Sequence, residues 1–152
     1  MRLVIQRVGR ATVRAGGETL GSIGLGAVVL VGVASGYTPE LVDRIADKVV
    51  GLRYFEDAEG RANRSLADVG GALLVVSQFT LLADLRRGRR PGFTFAARPE
   101  VAEPLVEHLC EALRSVGAPV ESGRFGASMQ VELVNDGPFT LLLDSDRDLS
   151  VG

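Results

Sequence analysis

The chain has one cysteine, one histidine and no tryptophan. With Cys110 alone, an intrachain disulfide framework and a thiolate metal cluster are both excluded. With His108 alone, most zinc-hydrolase designs are excluded, because they draw on several His or Cys ligands. A single base is left for a Ser-His or Cys-His pair. The two residues fall in a predicted helix at a spacing that points them in different directions, so ordinary helix residues are the plainer reading. No apolar run approaches the roughly 20 residues that cross a bilayer, and no charged-then-apolar leader opens the chain. The expectation is a soluble, cytoplasmic protein with no metal and no cofactor. Its chemistry must run on hydroxyls, backbone groups, carboxylates or the substrate itself.

Lysine is nearly absent: of 17 cationic residues only Lys48 is not arginine. The net charge of −2 does not mark the whole surface as a nucleic-acid binder. The arginines are unevenly spread, however, with Arg86, Arg87, Arg89 and Arg90 grouped around Gly88. Such a group is either a solvated loop or a phosphate-contacting patch, since the guanidinium fork matches phosphate oxygens. At 152 residues, 46% hydrophobic and 24% charged, the chain has the size and composition of one ordinary globular domain.

Alternation predicts strands over 3–8 and 12–15, a Gly16-Gly17 turn and a strand over 18–23. Residues 27–34 are almost continuously apolar, as in a strand buried on both faces. Thr38-Pro39 supplies an N-cap and a first-position proline for an amphipathic helix over 39–52. A short strand over 53–55 and a second buried strand over 72–79 follow, then a Gly-, Arg- and Pro-rich loop over 83–99. A second helix is predicted over 100–116, with Val101, Leu105, Leu109, Leu113 and Val116 on one face, Pro104 in its first turn and Gly117 as its stop. Short strands are expected over 119–121, 128–134 and 139–143, and the acidic tail from 144 is expected to fray. The order predicts an α/β domain whose helices pack on one side of a sheet that also meets a second β layer.

Two segments break the pattern of a plain core. Ser77-Gln78-Phe79-Thr80-Leu81 places hydroxyls and an amide where a buried strand ends, a place where ligands settle; the plainer reading is a polar strand terminus. Asn135-Asp136-Gly137-Pro138-Phe139-Thr140 contains an Asp-Gly hairpin signal, followed by a proline that removes a donor where the next strand starts.

These two segments resemble the signature motifs of the D-aminoacyl-tRNA deacylase (D-Tyr-tRNA deacylase) family of bacteria and eukaryotes. Further elements fall in family order: Ile5-Gln6-Arg7-Val8, Phe55-Glu56-Asp57-Ala58-Glu59-Gly60, Gly88 with Arg90-Pro91, and Gly123-Arg124-Phe125 before Met129-Gln130-Val131. The resemblance covers residues 1–143. It implies an α/β/β sandwich-like homodimer that hydrolyses the ester between a D-amino acid, or glycine, and the tRNA 3′ end, a proofreading activity in translation. It further implies that Ser77, Gln78, Phe79 and Thr80 line the reacting ester, and that Met129 and Phe125 form pocket walls. Gly137 and Pro138 become a cis pair that enters the partner's pocket and excludes L side chains. Arg86, Arg87, Arg89 and Arg90 then face tRNA phosphates. The sequence departs from the family habit at Phe139, usually a smaller aliphatic, and at Gly92, often Ser; Phe139 is expected to tighten the dimer or crowd the pocket rim. A non-catalytic RNA- or small-molecule-binding dimer and an L-editing enzyme are the rival readings.

Overall fold

The computed structural model describes residues 1–149. In chain order these form β1 (Arg2–Ala15), β2 (Glu18–Ile23), β3 (Gly26–Gly32), α1 (Pro39–Gly51), β4 (Arg53–Glu56), β5 (Ala62–Ser65), β6 (Ala72–Ser77), a 3-10 turn (Phe79–Leu82), α2 (Pro99–Ser115), β7 (Val120–Ser122), β8 (Gln130–Asp144) and α3 (Ser145–Asp148). A mixed sheet runs β2-β1-β3-β6-β7, with β8 added along β1, while β4 and β5 make a separate hairpin. The β3–β6 and β6–β7 pairs are parallel, and the remaining pairs are antiparallel.

The apolar runs of β3 and β6 are explained by burial on both faces. Ala27, Val29, Val31, Leu73 and Val75 face a core completed by α1 and α2, while Val28, Leu74 and Val76 face a second core with Val8, Val13 and Ile23. The second β layer is not a separate sheet. The far half of β1 carries β2 back over β6 and β7, so closely that a Cβ on Gly21 would stand 3.2 Å from both Leu74 Cδ1 and Glu121 Cβ. Helix α1 starts as expected: the Leu41 N–H donates to Thr38 Oγ1 at 3.3 Å, with Pro39 at the first position. Such a cap contributes about 1 kcal/mol.

Several expectations need correction. The segments 3–8 and 12–15 are one strand, and the strands expected over 128–134 and 139–143 merge into one that starts only at Gln130. Strand β8 runs unbroken through Asp136-Gly137, with no hairpin, because both of its halves hydrogen-bond along the same β1. The strand expected over 72–79 stops at Ser77, and the chain then coils into the 3-10 turn. Strand β5 escaped notice because its exposed Ala62, Asn63 and Arg64 show no apolar alternation. Helix α2 buries Ala102, Leu105, Val106, Leu109, Cys110, Ala112 and Leu113, leaving Val101 and Val116 exposed. Two four-residue steps on a helix of about 3.6 residues per turn carry Val101 off the Leu109 face, while Val116 lies past the last helical residue, Ser115. Helix α2 starts one residue earlier than expected, at Pro99, which sets Pro104 in its second turn.

The stretch after β8 is also tied down rather than frayed over 144–149. Asp144 pairs with Arg2 at 3.1 Å, and the Met1 amino group donates at 2.8 Å to Ser145 Oγ, which in turn donates at 2.8 Å to Tyr37 Oη. The remainder of the expected tail lies outside the described residues. No helix among the described residues is long and apolar enough to cross a membrane.

Candidate active site

The C-terminal ends of the parallel strands β3 and β6 open onto a cavity of about 520 Å3. Val31 and Val33 come from one strand end, Val76 and Ser77 from the other, Ala102 and Val106 from α2, Phe125 and Met129 from the approach to β8, and Val131 from β8 itself. After β6 the ladder continues for one more bond, from Gln78 N–H to the Val31 carbonyl at 2.7 Å. The chain then closes on itself, Leu81 N–H donating to the Gln78 carbonyl at 3.2 Å and Ala83 N–H to the Thr80 carbonyl at 3.1 Å. Gly32 makes room for this turn: a Cβ there would lie 2.3 Å from Leu82 Cδ2 and 3.0 Å from the Gln78 carbonyl oxygen. As the opening residues of a helical turn, Phe79 and Thr80 have backbone N–H groups with no acceptor inside it.

Of the residues singled out from sequence, Ser77, Gln78, Phe79, Phe125 and Met129 border this cavity together. Thr80 follows Phe79 just outside the lining, and its hydroxyl accepts a hydrogen bond from the Gln78 side-chain amide. Gly123 allows Met129 to reach across, since a Cβ at Gly123 would stand 2.6 Å from the Met129 sulfur. Phe79 is 57% exposed, its ring edge-on to Phe93 at 4.9 Å between centroids.

Gly137 and Pro138 are joined by a cis peptide bond and do not border the cavity of their own chain. They form a bulge in β8. Gln6 faces Thr140 and Val8 faces Asn135, so two steps along β1 span five along β8 and the intervening residues loop out. Gly137 has φ of +130°, and a Cβ on it would stand 3.0 Å from Arg7 Nη2. The Asn135 side-chain amide ties the base of the bulge, donating at 2.9 Å to the carbonyls of Arg7 and Phe139.

Arg7 is the structural brace that sequence reading did not single out. It is only 5% exposed; its Nη1 donates to the Tyr54 carbonyl at 2.7 Å and its Nε to the Asp136 carbonyl at 3.0 Å. Its guanidinium lies 4.6 Å from the centre of the Phe139 ring. The available signal was position: Leu3, Ile5 and Arg7 share one face of β1, so an arginine occupies an inward apolar row. Phe139 packs against Tyr54 and under Arg7 in place of crowding the pocket rim of its own chain. The Tyr54 hydroxyl is buried without a hydrogen-bond partner among the described residues, and burial pushes its pKa up to about 12.

His108 lies outside the cavity, its Nε2 2.7 Å from Asp43 Oδ1 between the two long helices. Cys110 is buried and its thiol pushed up by that burial. A neighbouring hollow of about 500 Å3 shares Ser77, Val106 and Phe125 with the main cavity and carries Glu103, Glu107 and Glu111 on its α2 side. Among the described residues no three His, Cys, Asp or Glu side chains are grouped to hold a metal ion.

The arginine loop is pinched at its base by paired backbone bonds between Asp84 and Gly92, at 2.7 and 3.0 Å. Arg86 is not a free cation. Its Nε and Nη2 donate to the two Asp84 carboxylate oxygens at 2.8 and 2.9 Å, and those bonds hold the Asp84 pKa at about 2. Arg87, Arg89 and Arg90 remain exposed, with no acidic partner among the described residues.

With two motif segments held on one sheet and an open cavity at the parallel strand ends, the likeness to known proteins decides the family. The sequence model of the D-Tyr-tRNA(Tyr) deacylase family matches residues 4–144. The chain belongs to that family. A D-aminoacyl-tRNA deacylase of Symbiobacterium thermophilum is 58% identical, over 97% of this chain and 97% of its own. Another D-aminoacyl-tRNA deacylase, of Chloroflexus aurantiacus, is also 58% identical, over 95% of this chain and 91% of its own. Among solved structures, a c-Myc DNA unwinding element binding protein superposes with a TM-score of 0.89 at 40% identity, covering 95% of this chain and 99% of its own. A probable eukaryotic D-amino acid tRNA deacylase superposes with a TM-score of 0.82 at 18% identity, covering 93% and 97%, which speaks to the fold. This family member is therefore a hydrolase, a D-aminoacyl-tRNA deacylase, built as a single α/β domain with a mixed sheet.

Proposed function

We propose that the deacylase works as a homodimer in which each cavity is completed by the bulge of the other subunit, and that it clears glycine as well as D-amino acids from tRNA. The observation that carries this reading is a separation: the Ser77–Phe79 strand end borders the cavity, while Gly137 and Pro138 of the same chain do not. For both motifs to serve one ester, the bulge must come from a second copy. Strand β8 offers the surface for it, as an edge strand with Val131, Val134 and Leu142 exposed.

In this reading the carbonyls of the partner subunit's Gly137 and Pro138 hold the substrate α-ammonium group and leave no space for an L side chain. Rejection by a wall tolerates many D side chains and passes glycine, which has nothing to clash. The reacting ester lies over Ser77, Gln78 and Phe79, between the walls of Phe125 and Met129. The N–H groups of Phe79 and Thr80 stabilise the oxyanion as it forms. The cavity offers no histidine base, so the 2′-hydroxyl of the terminal ribose activates the water, and the Thr80 hydroxyl, held by Gln78, positions it. Arg87, Arg89 and Arg90 contact tRNA phosphates, with Arg86 beside them, and the work is done in the cytoplasm where charged tRNA is used.

The test is deacylation of matched D-Tyr-tRNA, L-Tyr-tRNA and Gly-tRNA by the purified protein, with its mass in solution measured by light scattering. Rapid loss of the D-tyrosyl and glycyl esters, with the L ester spared and a dimer mass, is the expected result. Equal loss of D and L esters sinks the wall, a monomer that still discriminates sinks the shared cavity, and a glycyl ester spared alongside the L ester removes glycine alone. Thr80→Ala abolishing turnover with binding and fold intact would make the hydroxyl a direct chemical participant.

A further inference from the structure

The 3-10 turn separates the candidate catalytic cavity from another hollow, of about 540 Å3. Three chain segments contribute residues to both. Val33 borders the first and Ala34 and Ser35 the second; Phe79 borders the first and Leu82 the second; Ala96 borders the first and Phe95 the second. The two hollows are therefore neighbours that share these three segments as a dividing wall.

The second room is built for a flat, uncharged guest. Its two guanidiniums are already neutralised: Arg2 by Asp144 at 3.1 Å and Arg86 by Asp84 at 2.8 Å. A phosphate is poorly attracted by cations so paired. The wall is the Phe95 ring, 50% exposed, with the Arg86 guanidinium 5.6 Å from its centroid. Ser35 and Thr94, which also border it, are hydroxyl residues able to hydrogen-bond a base edge. Unpaired cations lie immediately outside on the same loop, at Arg87, Arg89 and Arg90. An aromatic face with flanking free arginines is how proteins hold single-stranded nucleic acid, bases stacked and backbone phosphates tracked by charge.

We propose that the Phe95–Arg86 hollow receives the base of the unpaired nucleotide that precedes the terminal one of the tRNA, stacking it on Phe95. This rests on the first cavity holding the terminal aminoacyl nucleoside. The division of labour follows from the pairing: Arg86, neutralised and seated near an aromatic ring, shapes a base site, and its neighbours carry the charge.

The test compares D-tyrosyl-adenosine ester with D-tyrosyl ester of the dinucleotide cytidylyl-adenosine, using wild-type protein, Phe95→Ala and Phe95→Trp. In the wild type the added nucleotide raises kcat/KM by about 5- to 150-fold, the range expected for one stacked base. Phe95→Ala cleaves the adenosine ester at the wild-type rate, which doubles as its folding control, and loses most of the gain. Phe95→Trp restores it. A gain that survives in Phe95→Ala, or no gain in the wild type, overturns the base site while leaving the first cavity in place. If the wild type turns over D-Tyr-tRNA but fails to cleave either short ester, the reading of the first cavity fails and this one falls with it. A change of oligomeric mass in Phe95→Ala would assign the ring to a subunit contact and overturn the proposal as well.

Discussion

Replacing Arg7 with alanine is the sharpest test of how the β8 bulge is held. The substitution removes two charge-assisted hydrogen bonds, to the carbonyls of Tyr54 and Asp136 at 2.7 and 3.0 Å, each of which contributes about 1.5–3 kcal/mol. It also removes the guanidinium stacked on Phe139, a contact of about 0.5–2 kcal/mol. The Glu56 carboxylate, 3.8 Å away and largely exposed, adds little. The gross sum is not fully realised, because a cation 5% exposed also sheds its desolvation cost when it is deleted. The expected net loss is about 3–5 kcal/mol, the usual result of breaking a buried charged cluster from one side. Urea denaturation followed by circular dichroism measures it. Arg7→Lys keeps the charge but lacks a fork to reach both carbonyls, so about half the loss is expected to persist, roughly 1.5–2.5 kcal/mol. The functional counterpart is a relaxed ratio of D- to L-ester cleavage in whichever variant still folds. An Arg7→Ala protein within about 1 kcal/mol of wild type would refute the claim that this side chain braces the bulge.

Tyr54→Phe removes a buried hydroxyl without a partner, so stability should hold or rise by up to about 1–3 kcal/mol; a clear drop in the melting midpoint would show that the hydroxyl is satisfied in solution. Gly32→Ala pushes a Cβ into Leu82 and the Gln78 carbonyl, displacing the turn that carries Phe79 and Thr80. About a 100-fold fall in kcat/KM is expected with the fold retained, and unchanged kinetics would mean that the turn tolerates the shift. The Asp84 carboxyl, held at about 2 by the Arg86 hydrogen bonds and so below its ordinary 3.8, makes a clamp that is fully present above pH 3.8 and lost as pH falls through 2. Carboxyl-carbon NMR titration of Asp84 checks this, and an ordinary midpoint near 3.8 would mean the clamp does not persist in solution.

Much of this architecture was legible in the residues. Thr38-Pro39 announced α1, and the β-branched runs of β3 and β6 announced strands covered on both faces, because local chemistry and burial agree there. The two motif segments were also legible, and five residues from the Ser77 strand end and the Phe125–Met129 approach do converge on one cavity. What escaped is what depends on distant partners. Asp136-Gly137 reads locally as a hairpin, and only the continuous β1 alongside keeps β8 running through it. Arg7 looks like any surface arginine until its carbonyl partners, from β4 and from β8, arrive 47 and 129 residues later. The Phe95 hollow draws on five separated stretches of chain, from Arg2 to Asp146. The exposed β5 carries no pattern that a reading of periodicity can detect.

The pairing of β1 with β8 has a consequence for how this protein is made. Residues 2–14 find their full-length partner only in residues 130–144. On the ribosome β1, with Leu3, Ile5, Val8 and Val13 all destined for the interior, therefore waits for nearly the whole of the described fold to be translated before that edge closes. Strand pairings so far apart in sequence also close slowly. The interval is the window in which this chain is most exposed to aggregation and most dependent on chaperones.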